Sequence, residues 1–461
     1  MLNRQMPLPK RLLNMQPATL ILSSFLAVIA AGTLLLMLPV STQTGSIPLI
    51  DALFTATSAV CVTGLTVVDP GTYYTAFGQW VMLFLIQIGG FGVMTVSVAL
   101  FRLIGKSVPF RQRMAMQDVF AHTPREDILK LVKHMFFFTL LVELAGAAIL
   151  TLHWAGEFSF ARSVYLGVFH SVSAFCNAGF ALFPDNFMQY SGSFLLNFSI
   201  CALIVVGGIG FPVLHDLYLQ FRHRKGKRGK LAVQTKTVLA TTGVLIFGGA
   251  LIFALLEREA LAASGSTAHR VLTPLFQSIT CRTAGFNTVD IGVLGDATLF
   301  LMIFLMFVGA SPGSTGGGVK TTTLAVISAF TLSRLKRSRR VNIFKKTIPD
   351  ETVVRSASLI LISIGIIMVV LFMILLSNAA SQLGATGYHR PFLAYLFETV
   401  SAFGTVGLSM GVTADLTTWS KAWIIAMMII GRVGVLAFSY VIVGAAPTRG
   451  IEYAEEGVMI G

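Results

Sequence analysis

The sequence predicts an all-α integral membrane protein: four pseudo-symmetric helix–pore-loop–helix repeats around one central pore, with eight spans and four re-entrant pore helices. Three observations predict it: a composition too apolar for water, an alternation of long and short apolar runs, and a short motif that recurs four times. Of the 461 residues, 55% are hydrophobic and 12% charged, against about 25% charged in soluble domains. Much of the chain must therefore be solvated by lipid.

A hydrocarbon core about 30 Å thick takes about 20 helical residues to cross. Runs of that length are Thr19–Pro39, Phe77–Leu100, Met135–Trp154, Phe194–Leu214, Val238–Leu256, Ser356–Leu376 and Trp423–Ala445. An eighth, Leu299–Leu332, contains a Gly-rich stretch and reads as the only interrupted span. Between the runs lie Asp51–Cys61, Tyr165–Cys176, Val271–Cys281 and Phe392–Phe403, which have the length of re-entrant or buried helices. The order is span, short helix, span, four times over. The first run has 21 residues after Arg4, Lys10 and Arg11, longer than a signal-peptide core of about 7–15, and is expected to stay in the membrane. The expected divisions are a cytoplasmic N-terminus (1–17), repeat 1 (18–105), a basic linker (106–133), repeat 2 (134–220) and a second basic linker (221–236). Repeat 3 (237–332), a third basic linker (333–355), repeat 4 (356–445) and a cytoplasmic tail (446–461) follow.

A formal charge of +14 raises nucleic acid as a partner, but the placement of the 34 Lys and Arg answers that. Met1–Pro17, Arg102–Lys133, Phe221–Lys236, Ser333–Arg355 and Arg449 hold 26 of them, and the alternate loops hold five. This is the positive-inside distribution. It places both termini and the three basic loops in the cytoplasm of a multi-pass cell-membrane protein, and accounts for the charge without nucleic acid. Segments such as Arg334-Leu335-Lys336-Arg337 are left to face membrane lipids or an acidic partner. Cys61, Cys176, Cys201 and Cys281 lie in apolar segments without CxxC spacing, so neither disulfides nor zinc are indicated. No His/Glu/Asp cluster has metal-ligand spacing and no nucleophile has a base and orienter, so no enzyme and no covalent cofactor are expected.

The short segments align. They read Phe54-Thr-Ala-Thr-Ser-Ala-Val-Cys-Val-Thr-Gly64, Phe169-His-Ser-Val-Ser-Ala-Phe-Cys-Asn-Ala-Gly179, Phe276-Gln-Ser-Ile-Thr-Cys-Arg-Thr-Ala-Gly285 and Phe397-Glu-Thr-Val-Ser-Ala-Phe-Gly-Thr-Val-Gly407. Phe and Gly are ten residues apart in three copies and nine in the third. An ion leaving water needs its hydration shell replaced, which rings of backbone carbonyls do in potassium filters. That takes a short helix aimed at the axis, an extended segment, and a glycine able to adopt unusual dihedrals. Irregular backbone at membrane depth survives only against protein or a water-filled cavity. The expected filter is therefore Val62, Thr63 and Gly64; Asn177, Ala178 and Gly179; Thr283, Ala284 and Gly285; and Thr405, Val406 and Gly407.

At these residues the chain resembles the Trk/Ktr/HKT superfamily of potassium transporters. The resemblance runs from Thr19 to the carboxy-terminal Glu455-Glu456-Gly457-Val458-Met459-Ile460-Gly461, and includes the Gly-rich interruption and Arg432 in Ile430-Gly431-Arg432-Val433-Gly434. The first repeat starts without the additional amino-terminal helix pair of Trk-type members, so the chain is most similar to the Ktr membrane subunit. The resemblance implies potassium uptake, a homodimer with one pore per protomer, and docking on a cytoplasmic ring of nucleotide-binding regulatory subunits. Sodium enters as a candidate co-activator. Some plant members carry Ser at the first filter glycine and favour sodium; Gly64 points to potassium.

The Gly-rich stretch invites a phosphate-loop reading, but Val319 separates Gly318 from Lys320, unlike GxxxxGK[ST], and no strand precedes it. The family's equivalent loop obstructs the pore below the filter. By that resemblance Ala310, Ser311, Pro312, Gly313, Ser314, Thr315, Gly316, Gly317, Gly318 and Lys320 form a gate, expected to be held by few contacts and to move at modest cost. Arg432 lies mid-span, where charge is costly and usually functional; facing the pore it would repel cations beside that gate, the alternative being a structural ion pair. Glu143 is expected to be a buried partner for another helix, and Arg282 to bond behind the filter, with Glu398 as a guessed partner. Asp51 fits a helix N-cap as well as ion attraction, and His170 is expected to be packed. A secondary carrier is the competing function, but carriers of that kind show two inverted halves, whereas this chain shows four units of one topology.

Overall fold

The computed structural model describes residues 17–92, 128–222, 231–263, 266–381 and 392–435. Residues 1–16, 106–127, 223–230 and 446–461 of the expected termini and linkers, and the ends of Phe77–Leu100 and Trp423–Ala445, lie outside the described residues. Each copy runs long helix, pore helix, second helix. In order these are Pro17–Leu36, Leu49–Val60 and Ala76–Phe91; Ile128–Trp154, Phe160–Phe175 and Phe194–Ile209; Val233–Leu256, Thr267–Thr280 and Asp296–Phe307; and Asp350–Ser381, Phe392–Gly404 and Thr418–Val433. Val132–Trp154, Val233–Leu256 and Asp350–Asn378 are long and apolar enough to cross a bilayer. They expose Phe137, Leu141, Phe247, Leu251, Leu361 and Phe372, an apolar surface suited to hydrocarbon.

The second helices begin alike. Thr75, Ser193 and Thr417 cap copies one, two and four, each hydroxyl accepting from a backbone N–H of the first turn and so satisfying one of the helix's free donors. Their ends differ from the sequence expectation. Leu299–Leu332 is not the only interrupted span: Phe194–Ile209 stops at Gly210 and continues as Phe211–Phe221 at 97°. Gly210 sits at φ 97°, which glycine adopts without a Cβ penalty, and the Phe211 N–H donates to Gly313 O at 3.0 Å. The bend is thus fastened to the third copy. Gly92 and Gly434 end the equivalent helices of copies one and four at φ 78° and 96°, so a glycine break after the second helix recurs around the molecule.

The copies close into a ring in chain order. Copy one meets two where Tyr165 donates to Gln79 at 2.5 Å. Two meets three where Phe187 N–H donates to Asn287 O at 3.0 Å and the Phe187 and Phe286 rings stack. Three meets four through the stacked Phe307 and Phe403. Four returns to one through Lys421 and Asp51, 2.7 Å apart. The third linker is itself folded: Asn342–Ile343 pairs antiparallel with Lys346–Thr347, and Val341 packs with Val326 and Val353.

Candidate functional site

The pore helices end deep in the protein, and the chain then reverses its backbone handedness. Val62, Asn177, Thr283 and Thr405 have φ of 57°, 60°, 69° and 49°, and Gly64, Gly179, Gly285 and Gly407 have φ of 90°, 70°, 79° and 94°. The residue between them is right-handed or extended in every copy. Alternating handedness along an extended segment turns successive carbonyls to one side, the arrangement a carbonyl-lined filter requires. Non-glycine residues at positive φ are uncommon, and strain repeated at four equivalent positions marks a functional constraint.

The glycines also show how the four segments meet. A Cβ on Gly64 would collide with Ala178 O, one on Gly179 with Ala284 O, one on Gly285 with Val406 O, and one on Gly407 with Thr63 O. Each glycine lies against the carbonyl of the next copy, and the fourth against the first. The four glycines and the residues before them therefore meet in one closed ring, with Val62, Asn177, Thr283 and Thr405 next along each segment.

One supporting position escaped the sequence reading. Four residues after the leading Phe stands a hydroxyl in every copy. Ser58 and Ser401 accept from the Gly64 and Gly407 N–H at 3.0 and 3.1 Å. Ser173 and Thr280 donate to Phe180 O and Phe286 O at 2.8 and 2.6 Å. The aligned copies carried this signal. It also locates the missing residue of the third copy between Thr280 and Thr283.

On one side of the ring opens a cavity of about 380 Å³ whose floor is Gly64, Gly179, Gly285 and Gly407 and whose wall includes Asp69, Asp185 and Ser409. On the other lies the Gly-rich stretch. The Gly317 N–H donates to the Thr405 hydroxyl at 2.9 Å, and a Cβ on Gly316 would collide with Thr283. The loop thus touches the first ring residue of two copies. The expectation of few contacts is corrected: Ser311 N–H donates to Gly208 O at 3.1 Å and Thr315 N–H to Gly207 O at 3.4 Å. The Thr321 hydroxyl donates to Ser311 Oγ, and Lys320 Nζ donates to Gly316 O at 2.7 Å. Arg432 donates to Thr315 O and to Gly89 O. Among the described residues its partners are carbonyls rather than a carboxylate, so no ion pair is observed there. Small residues here allow close backbone approach and dense hydrogen bonding, not looseness.

A family model described as a cation transport protein, TrkH, matches residues 9–448. The chain belongs to the TrkH family. Ktr system potassium uptake protein B of Vibrio alginolyticus is 38% identical over 444 residues, 96% of this chain and 94% of that one. The protein of the same name from Bacillus subtilis is 38% identical over 429 residues, 92% of each. The potassium/sodium uptake protein NtpJ of Enterococcus hirae is 34% identical over 452 residues, 97% of this chain and 98% of that one. The crystal structure of the potassium transporter TrkH from Vibrio parahaemolyticus matches with a TM-score of 0.70 at 19% identity, covering 92% of this chain and 84% of that chain. At that identity it shows the fold alone.

Within this TrkH-family fold the remaining polar residues find partners of their own. Glu143 accepts from Gln87 Nε2 at 3.0 and 3.1 Å, joining copies two and one as a buried helix partner. Arg282 does not reach Glu398: its guanidinium donates to the Thr242 hydroxyl at 3.3 Å, while Glu398 accepts from the Ser409 and Thr413 hydroxyls. Arg282 points back along its own copy, and among the described residues short hydroxyl side chains, not a counter-charge, meet the Glu398 carboxylate. Asp51 is neither cap nor free attractor. It lies in the first turn of its helix, where Pro48 is the cap, and pairs with Lys421. His170 is packed as expected, with Nδ1 2.8 Å from Leu166 O and Nε2 accepting from the Leu182 N–H at 3.1 Å.

Proposed function

We propose that this chain takes up potassium across the cell membrane through a channel-like pore, with the closed ring as its selectivity filter. The observation that carries the reading is the ring itself: four equivalent segments, each alternating in handedness and each glycine against the next copy's carbonyl. Such a ring presents fixed oxygens to a cation that has left its water. The names of the Ktr relatives and of NtpJ support potassium as cargo, and that of NtpJ supports a role for sodium.

In the same reading the loop of Ala310 to Val319 is the gate, with Lys320 and Arg432 holding it closed and placing positive charge below the filter. Opening then requires a concerted exchange of its hydrogen bonds rather than the drift of a loose segment. The likeness to the Ktr system supports partner subunits, which in this reading are a second copy of the chain and a cytoplasmic nucleotide-binding ring as regulator. The basic segment Arg334 to Arg340, at the end of the helix Thr321–Leu335 that leaves the loop, is where such a partner would act. Flux into liposomes containing the purified protein, across potassium, rubidium, caesium and sodium and with external sodium varied, tests the function. Potassium and rubidium are expected to outpace sodium; equal rates for all four would overturn the filter.

A further inference from the structure

The residue directly after the leading Phe in each copy is polar. These residues are Thr55, His170, Gln277 and Glu398. All four are at most 2% exposed. Their chemistry differs completely, yet each makes the same kind of contact. Thr55 accepts from the Tyr74 hydroxyl at 3.2 Å, and His170 accepts from the Leu182 N–H at 3.1 Å. Gln277 donates to the Thr288 hydroxyl at 3.3 Å. Glu398 accepts from Ser409 at 2.8 Å and from Thr413. Tyr74, Leu182, Thr288, Ser409 and Thr413 all belong to the segment that leaves the ring after its glycine.

We infer that Thr55, His170, Gln277 and Glu398 are positioning residues that tie each pore helix to the chain leaving the filter and so fix the width of the filter's outer mouth. The inference rests on the filter reading of the ring. A glycine at positive φ has little stiffness of its own, so the ring is held by what lies on either side. On the inner side is the hydroxyl four residues after the Phe; on the outer side is this strut. Buried polar groups in a satisfied network rigidify the structure around them. Glu398 makes the strongest case, because it engages two residues of one segment, and Ser409 also lines the cavity above the ring.

The internal repeat supplies its own test. Glu398→Gln installs the side chain that copy three already uses at this position, whereas Glu398→Ala removes the strut. With full-length protein in liposomes at matched protein content, Glu398→Ala is expected to lower the rubidium-over-sodium flux ratio by about tenfold, and Glu398→Gln to hold it within about twofold. A ratio unchanged in Glu398→Ala, with both fluxes reduced alike, would reduce the residue to packing and overturn the inference. Loss of the ratio in Glu398→Gln as severe as in Glu398→Ala would mean that a carboxylate charge is needed, which also overturns it. If Glu398→Ala does not assemble, the double variant Ser409→Ala, Thr413→Val removes the same bonds from the other end and must lower the ratio. A wild-type protein without preference sinks the filter reading itself; a preference lost in Gly64→Ser and kept in Glu398→Ala sinks the strut alone.

Discussion

Placing Ser at position 64 tests the ring where the first copy meets the second. Gly64 has φ 90°, where a side chain costs about 1–3 kcal/mol. The new Cβ would also meet Ala178 O, a backbone atom of the neighbouring copy that cannot rotate away. Ala178 is in turn held by its N–H to Ser173 O at 2.7 Å, so relief must come from widening the ring. The Cβ, more than the hydroxyl, is the disturbance. If strain of that size is released by loosening the potassium site, preference falls by about 5- to 150-fold. Assembly should survive, because the copies are joined independently at Tyr165, Phe187, Phe307 and Lys421. Gly45→Ala is the control: its φ is 74° but nothing lies within 4 Å of the added carbon, so it bears the dihedral strain without touching the ring. The assay is the potassium-to-sodium flux ratio in liposomes. An unchanged ratio in a folded Gly64→Ser protein, or an equal fall in Gly45→Ala, refutes the reasoning.

Other expectations follow from single contacts. Arg432→Ala frees Thr315 O and Gly89 O and should raise basal potassium flux without altering ion preference, read in the same liposomes; reduced flux in assembled protein argues for a purely structural arginine. Deleting Ser314 to Gly318 should act in the same direction and weaken dependence on any regulatory partner. Glu143→Ala leaves the Gln87 amide without its partner and should lower stability by about 1–3 kcal/mol, seen as an earlier thermal transition, while Glu143→Gln should cost less. Asp51→Ala strands Lys421 and should cost about 1.5–3 kcal/mol, part of which Lys421→Met should restore.

The large features were legible because lipid leaves few choices. Segments of 20 apolar residues must be helices that satisfy their own backbone, and four aligned Phe-to-Gly segments can share one function only by sharing one axis. The twelve ring residues followed from that alignment alone. What escaped depended on side-chain reach, which spacing does not encode. Arg282 and Glu398 are near the ring in sequence but turn to Thr242 and to Ser409 and Thr413. Asp51 finds Lys421 across 370 positions. The break at Gly210 lies inside the apolar run Phe194–Leu214, and the carbonyl that fastens it, Gly313 O, comes from another copy. The Gly-rich loop misled in the opposite direction: few side chains suggested few contacts, whereas bare backbone is what lets copies two, three and four bond so closely.

The central claim is that the four segments bind a cation on their common axis. A structure determined with thallium in place of potassium, using the metal's anomalous signal, tests it most directly. The account predicts density on the axis, bounded by carbonyls of Val62 to Gly64, Asn177 to Gly179, Thr283 to Gly285 and Thr405 to Gly407, and lost when sodium replaces thallium. Thallium bound only away from that axis, beside an intact ring, would contradict it.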